Sequence, residues 1–410
     1  MSRKSKRLFR KRRNPGKIIG TVLTILLIPA MIVAGYYLIP LLSRTNTTEP
    51  SSSATTVPTD PPASTPADTP DTSSDIPDTP TDTVSFSGMR MIYLPSSALR
   101  DLTAWEQTLT AASAAGYNAV LFDLKGADGV IRYASATELA VQAESIAADA
   151  LTMDELKAAL QTLRDKGFTP VPRLYAFADP LSPRHLENAR ITVQGSPKST
   201  WYDNAPDKGG KRWLNPYAPD ARRFITELAA ELRGAGCDLL MLDGVQFPNQ
   251  TSRAYFGEFA ETSLSRAEIL SQFAAEMTEA VGSGHWMLSS PALAAIGDGT
   301  QPFGGNPLTF GAPAVSPMLL PSSLGNKLTV GTQKLSAPAS HPYEAVSLLA
   351  AQIKARVELI AADKRPAIVP WIQADDYSAA QIADEVRALT ELYGEKASYI
   401  LYHPDGRYVF

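Results

Sequence analysis

Three aspartates stand at or just beyond the ends of short apolar runs: Asp123 in AVLFDLK, Asp179 after PVPRLYAF, and Asp243 in LLMLDGV. Carboxylates placed this way suit acid–base or nucleophilic work. Hydrolysis of a glycosidic bond uses two of them, about 5–5.5 Å apart for retention or about 6.5–9.5 Å for inversion. Asp243 is the best nucleophile or base among these, and Asp123, Asp179, Asp375 and Asp376 are the acids left to partner it. Lys125 could meet a substrate anion or close a salt bridge. Arg173, inside its run, needs a carboxylate beside it, because a buried charge without a partner is costly. Trp201, Tyr202, Trp213 and Tyr217 crowd the segment after the third run, and aromatic faces of this kind stack on the apolar face of a pyranose. Gln246, Trp371, Gln373 and Asp376 complete a set of side chains suited to holding a sugar.

Other chemistries fit less well. The four histidines, His185, His285, His341 and His403, have no metal-ligand spacing, and the single cysteine, Cys237, reads as a buried apolar side chain. Ser289 and Ser290 lack a Gly-x-Ser-x-Gly elbow. GGNPLTFG lacks the Lys-Ser/Thr of a phosphate loop, so no cofactor and no metal are expected.

The elements that must position these residues are legible as alternating runs. Strands are predicted over residues 89–95, 119–125, 170–177, 239–245, 285–291, 314–320, 367–373 and 398–404. Their near-continuous apolarity is that of parallel strands covered on both faces. Between them lie amphipathic stretches with readable ends: Thr152 with Glu155 as a capping box and Gly167 as the stop, Pro219 in a first turn, and Ser265 before RAEILSQFAAEMTEAVG. LAAIGDGTQPFGGNPLTFG is too rich in Gly and Pro for a full helix, and nothing helical follows the eighth strand. The expectation is an α/β fold, a (β/α)8 TIM-type barrel with an incomplete outer helix ring, whose chemistry sits at the C-terminal ends of the strands.

Several blocks resemble the bacterial Putative glycoside hydrolase domain family, barrels distantly similar to α-amylase-type hydrolases. They are FDLKGADGVIRY, RLYAFADPL, RWLNPYAPDARRF, LMLDGVQFP, SPMLLPSS, HPYEAV and PWIQ, spread from about Met89 to Tyr408. The resemblance implies a glycosidase-type barrel. It also exposes departures. After the fourth strand the family pattern Asp-Tyr-Val-Arg-Phe-Pro keeps Asp243 but has Gly244 and Gln246 for the Tyr and Arg. After the sixth, Tyr-Pro-Ser-His-Tyr becomes Leu320-Pro321-Ser322-Ser323-Leu324. Two readings therefore stand: a hydrolase of envelope or extracellular polysaccharide, or an inactive barrel that binds glycan and organises the envelope.

The N-terminal fifth has its own organisation. Residues 1–17 are a basic tail with about nine Lys/Arg and no acid. Residues 18–42 form an uncharged apolar run long enough to cross a bilayer, with lipid as its partner. The flanking charge places the N-terminus in the cytoplasm and the rest outside. The run is longer than a signal-peptide core, so an uncleaved anchor is expected. Residues 43–87, dominated by Ser, Thr, Pro and Asp, read as a disordered spacer, with the barrel over 88–410. Beyond the tail the chain sits near −13, which argues against nucleic acid as a partner.

Overall fold

The computed structural model describes residues 84–258, 260, 262–297 and 302–410. The expected tail and membrane span, and the spacer up to residue 83, lie outside the described residues. No helix among the described residues is long and apolar enough to cross a membrane.

Eight parallel strands close into a barrel. They are β1 (Arg90–Tyr93), β2 (Ala119–Lys125), β3 (Thr169–Tyr175), β4 (Leu240–Asp243), β5 (Trp286–Pro291), β6 (Ala314–Met318), β7 (Trp371–Gln373) and β8 (Tyr399–Tyr402). Each pairs with the next in chain order, and β8 pairs back onto β1. All eight fall within the expected runs or one residue beyond them. The seventh run is split: Ala367–Ile368 pairs with β6, and the ladder resumes after Pro370, whose nitrogen carries no hydrogen to donate.

Apolarity on both faces of each strand has a direct structural meaning. Met91, Leu121, Val171, Met241, Met287, Ala314, Trp371 and Ile400 fill the barrel interior. Their neighbours Ile92, Val120, Phe122, Leu242, Leu288, Val315, Ile372 and Leu401 join the layer beneath the helices. Six long helices form that outer layer: α1 (Glu106–Ala114), α2 (Met153–Asp165), α3 (Pro219–Gly234), α4 (Arg266–Val281), α5 (Pro342–Glu358) and α6 (Ala379–Tyr393). Complete capping boxes open α2 (Thr152, Glu155), α4 (Ser265, Glu268) and α6 (Ser378, Gln381), so first-turn N–H donors find acceptors. Among the described residues, the connection from β5 to β6 holds the five-residue helix Ala292–Ile296 and a 3-10 turn at Pro307–Thr309 but no long helix, and no helix follows β8.

Additions beyond the alternating pattern lie in loops that follow the C-terminal ends of strands. Ile131–Tyr133 and Ile146–Leu151 extend the sheet beyond β2. Thr192–Val193, Ser196–Thr200 and Ala254–Tyr255 form a small sheet shared by the loops after β3 and β4. Lys327–Val330 and Gln333–Ser336 make a hairpin after β6. At the opposite end, Val84 and Phe86 pack against the barrel interior, and Ser398 Oγ donates to the Phe86 carbonyl at 2.5 Å. The barrel thus incorporates residues 84–87, which the composition had assigned to the spacer.

Candidate active site

Counting by twos up each strand from an inward apolar residue leads to the mouth. Met91 leads to Tyr93, Leu121 to Asp123, Val171 to Arg173 and Tyr175, Met241 to Asp243, Met287 to Ser289, and Ile400 to Tyr402. Arg173 is the hub. Its Nε donates to Asp123 Oδ1 at 2.6 Å and its Nη2 to Asp123 Oδ2 at 3.1 Å, a two-point clamp. Its Nη1 reaches Asp243 Oδ2 at 3.4 Å. One guanidinium from β3 therefore joins carboxylates of β2 and β4, with the side chains of Asp123 and Asp243 only 16% and 11% exposed.

Aromatic rings wall this cluster. The guanidinium carbon lies 5.0 Å from the ring centre of Tyr175, 5.1 Å from Trp371 and 5.5 Å from Tyr93. Tyr402 closes the collar, 5.2 Å from Tyr93 and 5.4 Å from Trp371. Tyr93 also donates its hydroxyl to Asp123 Oδ2 at 3.1 Å. Trp371 Nε1 is buried without a hydrogen-bond partner, and the buried Ser289 side chain lies against Asp243.

The two aspartates differ in their surroundings. Asp243 titrates above the ordinary carboxylate range because burial opposes its charge; Arg173 and the Gly244 N–H, which donates to Oδ1 at 2.7 Å, pull the other way. Burial works against the Arg173 charge as well, yet Asp123 and then Asp243 outweigh it, and the guanidinium is held more firmly protonated than usual. Gly244, where the family pattern has Tyr, adopts φ +62° and lies against Ala178. The cation that the pattern would put at position 246 is supplied to Asp243 by Arg173. Gln246 itself is half-buried.

Other expected site residues serve elsewhere. Asp179 is fully buried: Oδ1 accepts from the N–H groups of Leu181 and Ser182 at 2.8 and 2.9 Å, and Oδ2 pairs with Lys125 Nζ at 2.7 Å. Lys125 also donates to the Tyr175 carbonyl at 2.7 Å and sits over the Phe224 ring of α3, outside the barrel interior. A register shift between Asp123 and Lys125 re-aims the lysine, which strict alternation would have turned inward. Gly129, at φ +82°, lets the backbone approach Asp179; a Cβ there would fall 2.3 Å from Oδ1. Trp201 and Trp213 pack with Ile191 in a small core within the loops, their indole N–H groups donating to the Ser252 carbonyl and to Asp203 Oδ2, both at 2.9 Å. Tyr217 packs on Phe247 and Phe256 and donates to the Leu264 carbonyl at 2.9 Å.

Gln373, also at the mouth, ties two loops together. Its Oε1 accepts from the Ser322 N–H at 3.0 Å and its Nε2 donates to the Asp375 carbonyl at 2.9 Å. Asp375 lies at the rim, 3.6 Å from His403 Nε2, and Asp376 is exposed at φ +59°. Tyr93, Tyr175 and Tyr402 were not among the expected residues. The parity of the strand runs was the signal that could have found them.

Beside the acid cluster, the loops after β2, β3 and β4 enclose a cleft of about 610 Å³. Ala178, Lys211, Arg212, Trp213, Asn249 and Gln250 are among its walls, and Ala178 is the residue packed on Gly244.

The Putative glycosyl hydrolase domain family matches residues 91–408, most of the chain, and the chain belongs to that family. No curated protein matches it. Among solved structures, a hypothetical protein from Ruminiclostridium thermocellum is 21% identical over 48% of this chain and 96% of its own, with TM-score 0.42. The pneumococcal virulence factor StrH is 9% identical over 78% and 80%, with TM-score 0.44. The glycoside hydrolase domain of PelA from Pseudomonas aeruginosa is 18% identical over 68% and 94%, with TM-score 0.36. Likenesses this loose do not allow residues to be matched between chains.

Proposed function

We propose, with membership of the Putative glycosyl hydrolase domain family as the premise, that the barrel hydrolyses glycosidic bonds in an envelope or extracellular polysaccharide. The observation that carries this reading is the single guanidinium linking Asp123 and Asp243 inside an aromatic collar at the barrel mouth. Two carboxyls sharing one cation are near neighbours, which is what glycoside hydrolysis requires of its acid pair. Asp243, raised by burial, is the member suited to deliver a proton to the leaving oxygen. Asp123, clamped at both oxygens, is suited to face the positive charge that develops on the sugar ring. Tyr175 and Tyr402, the half-buried members of the collar, supply faces for the ring itself.

The test is release of reducing ends from polysaccharide by the full chain in detergent. Asp243→Asn and Asp123→Asn should each lower turnover by about 10²–10⁴-fold while glycan binding persists. Turnover unchanged by Asp243→Asn removes that residue from the mechanism.

A second reading is a non-catalytic glycan-binding barrel, favoured by the fact that Arg173, Tyr93 and Gly244 already engage the pair. Binding without turnover by the unaltered chain would select it.

The N-terminal pattern supports a single-pass anchor at 18–42 with the barrel held outside the cell. Protease added to intact cells should then digest the barrel and leave the tail.

A further inference from the structure

The cleft beside the acid cluster differs in charge from the domain that carries it. Residues 84–410 hold 35 acidic and 28 basic side chains, yet the loop segment 188–213 holds five basic and two acidic ones. Lys211 and Arg212 both line the cleft, and neither has a carboxylate within ion-pair distance among the described residues. Arg212 is braced instead over the Tyr202 ring at 4.8 Å. The one lining acid, Asp203, is committed to the loop, accepting from the Lys211 N–H at 2.7 Å and from Trp213 Nε1 at 2.9 Å. It holds the two cations in place without pairing with the charge of either. Across the cleft, Asn249 and Gln250 present exposed amides.

We propose that this cleft is a subsite for a sugar unit bearing an anionic substituent, a carboxylate or a phosphate. Lys211 and Arg212 bind the anion, while Asn249 and Gln250 hydrogen-bond neighbouring hydroxyls. The inner wall fixes its place along the chain of sugars: Ala178 packs on Gly244, the residue after Asp243, so the anionic unit sits within the same glycan strand as the bond at the mouth. The inference rests on the glycan reading above and narrows its substrate to acidic polysaccharide.

The experiment measures binding of three probes to the full chain in detergent: an oligogalacturonate, a phosphorylated oligosaccharide, and a neutral oligogalactan of equal length. At least one anionic probe should bind about tenfold more tightly than the neutral one, with the preference shrinking as salt rises. The pair Lys211→Gln, Arg212→Gln should abolish that preference without weakening the neutral probe. An unchanged thermal midpoint verifies that the variant is folded, and Lys211→Arg should retain the preference. The better anionic probe identifies the substituent. Equal binding of all three probes, or a preference untouched by the double substitution, overturns the proposal. Asp243→Asn separates the two readings, since it should stop turnover and leave the anionic preference intact. In the unaltered chain, turnover without any anionic preference sinks the subsite alone, whereas an anionic preference without turnover sinks only the hydrolase.

Discussion

Two buried ionic clusters arise from neighbouring residues of the same strands, and they are built for different ends. At the barrel mouth, Arg173 spans Asp123 and Asp243 beneath aromatic rings, and both carboxylates keep some exposure. Behind the strands, Lys125 and Asp179 are both wholly buried, with backbone groups meeting both partners. Asp123 and Lys125 are two positions apart, and the register shift between them sends one to the open bowl and the other beneath a helix. The outer pair locks the loop after β3 onto β2. Each cluster holds a buried polar atom without a hydrogen-bond partner, Trp371 Nε1 at the mouth and Asp179 Oδ2 behind the strands, so the difference between them lies in the access their carboxylates keep. Burial of charge alone therefore does not mark a candidate site; the access that the carboxylates keep does.

Substitutions can break this contrast. The largest effect on stability is expected from Lys125→Met, which leaves Asp179 buried without its cation and should cost about 3–5 kcal/mol in urea unfolding. Asp243→Asn, which removes a charge that burial disfavours, should shift the same midpoint far less. Equal losses would mean that the mouth cluster also holds the fold together. Gly129→Ala is next: the added Cβ meets Asp179 Oδ1 in a left-handed backbone, for an expected loss of about 2 kcal/mol. A neutral outcome would show that the loop after β2 can shift without disturbing the outer pair.

The smallest effect concerns Glu385 on α6. Burial raises its carboxyl well above the usual range, although Oε2 accepts from the Gln373 N–H at 3.0 Å. Below the ordinary carboxylate range both folded and unfolded chains carry its proton. As pH rises toward the raised folded value, only the unfolded chain releases it, and stability falls. Glu385→Gln, which cannot ionise, should flatten that decline and match the parent at low pH in thermal unfolding across pH 4–9. A variant that loses stability in parallel with the parent would assign the decline to other groups.

The barrel was legible because strands covered on both faces must be apolar throughout, and nothing else in this chain repeats that way eight times. Helix starts were legible where a side chain caps the first turn, as at Thr152 and Ser265. Arg173 was correctly expected to be buried against a strand-end aspartate, since a charge inside a strand has nowhere else to go. The tryptophans were harder. Trp201 and Trp213 have the right type for stacking sugars, but type does not say which way a loop side chain turns: both pack in the loop's own core, and Trp213 also lines the cleft beside it. Lys125 escaped for a different reason: a local irregularity reverses parity, and no residue type announced it. Tyr93, Tyr175 and Tyr402 lay in plain alternation with inward apolar residues, and were obscured only because tyrosine is also common in buried strands.

Val84 and Phe86 give the molecule a direction. They stop the end of the barrel where the strands begin, and Ser398 secures that stop to the start of β8. Any hold on the chain upstream of Val84 is thus applied at the base, remote from Asp243 and the cleft beside it. A pull on that base bears on the hydrogen bond between Ser398 and Phe86, at the far end of the barrel from the acid-bearing rim.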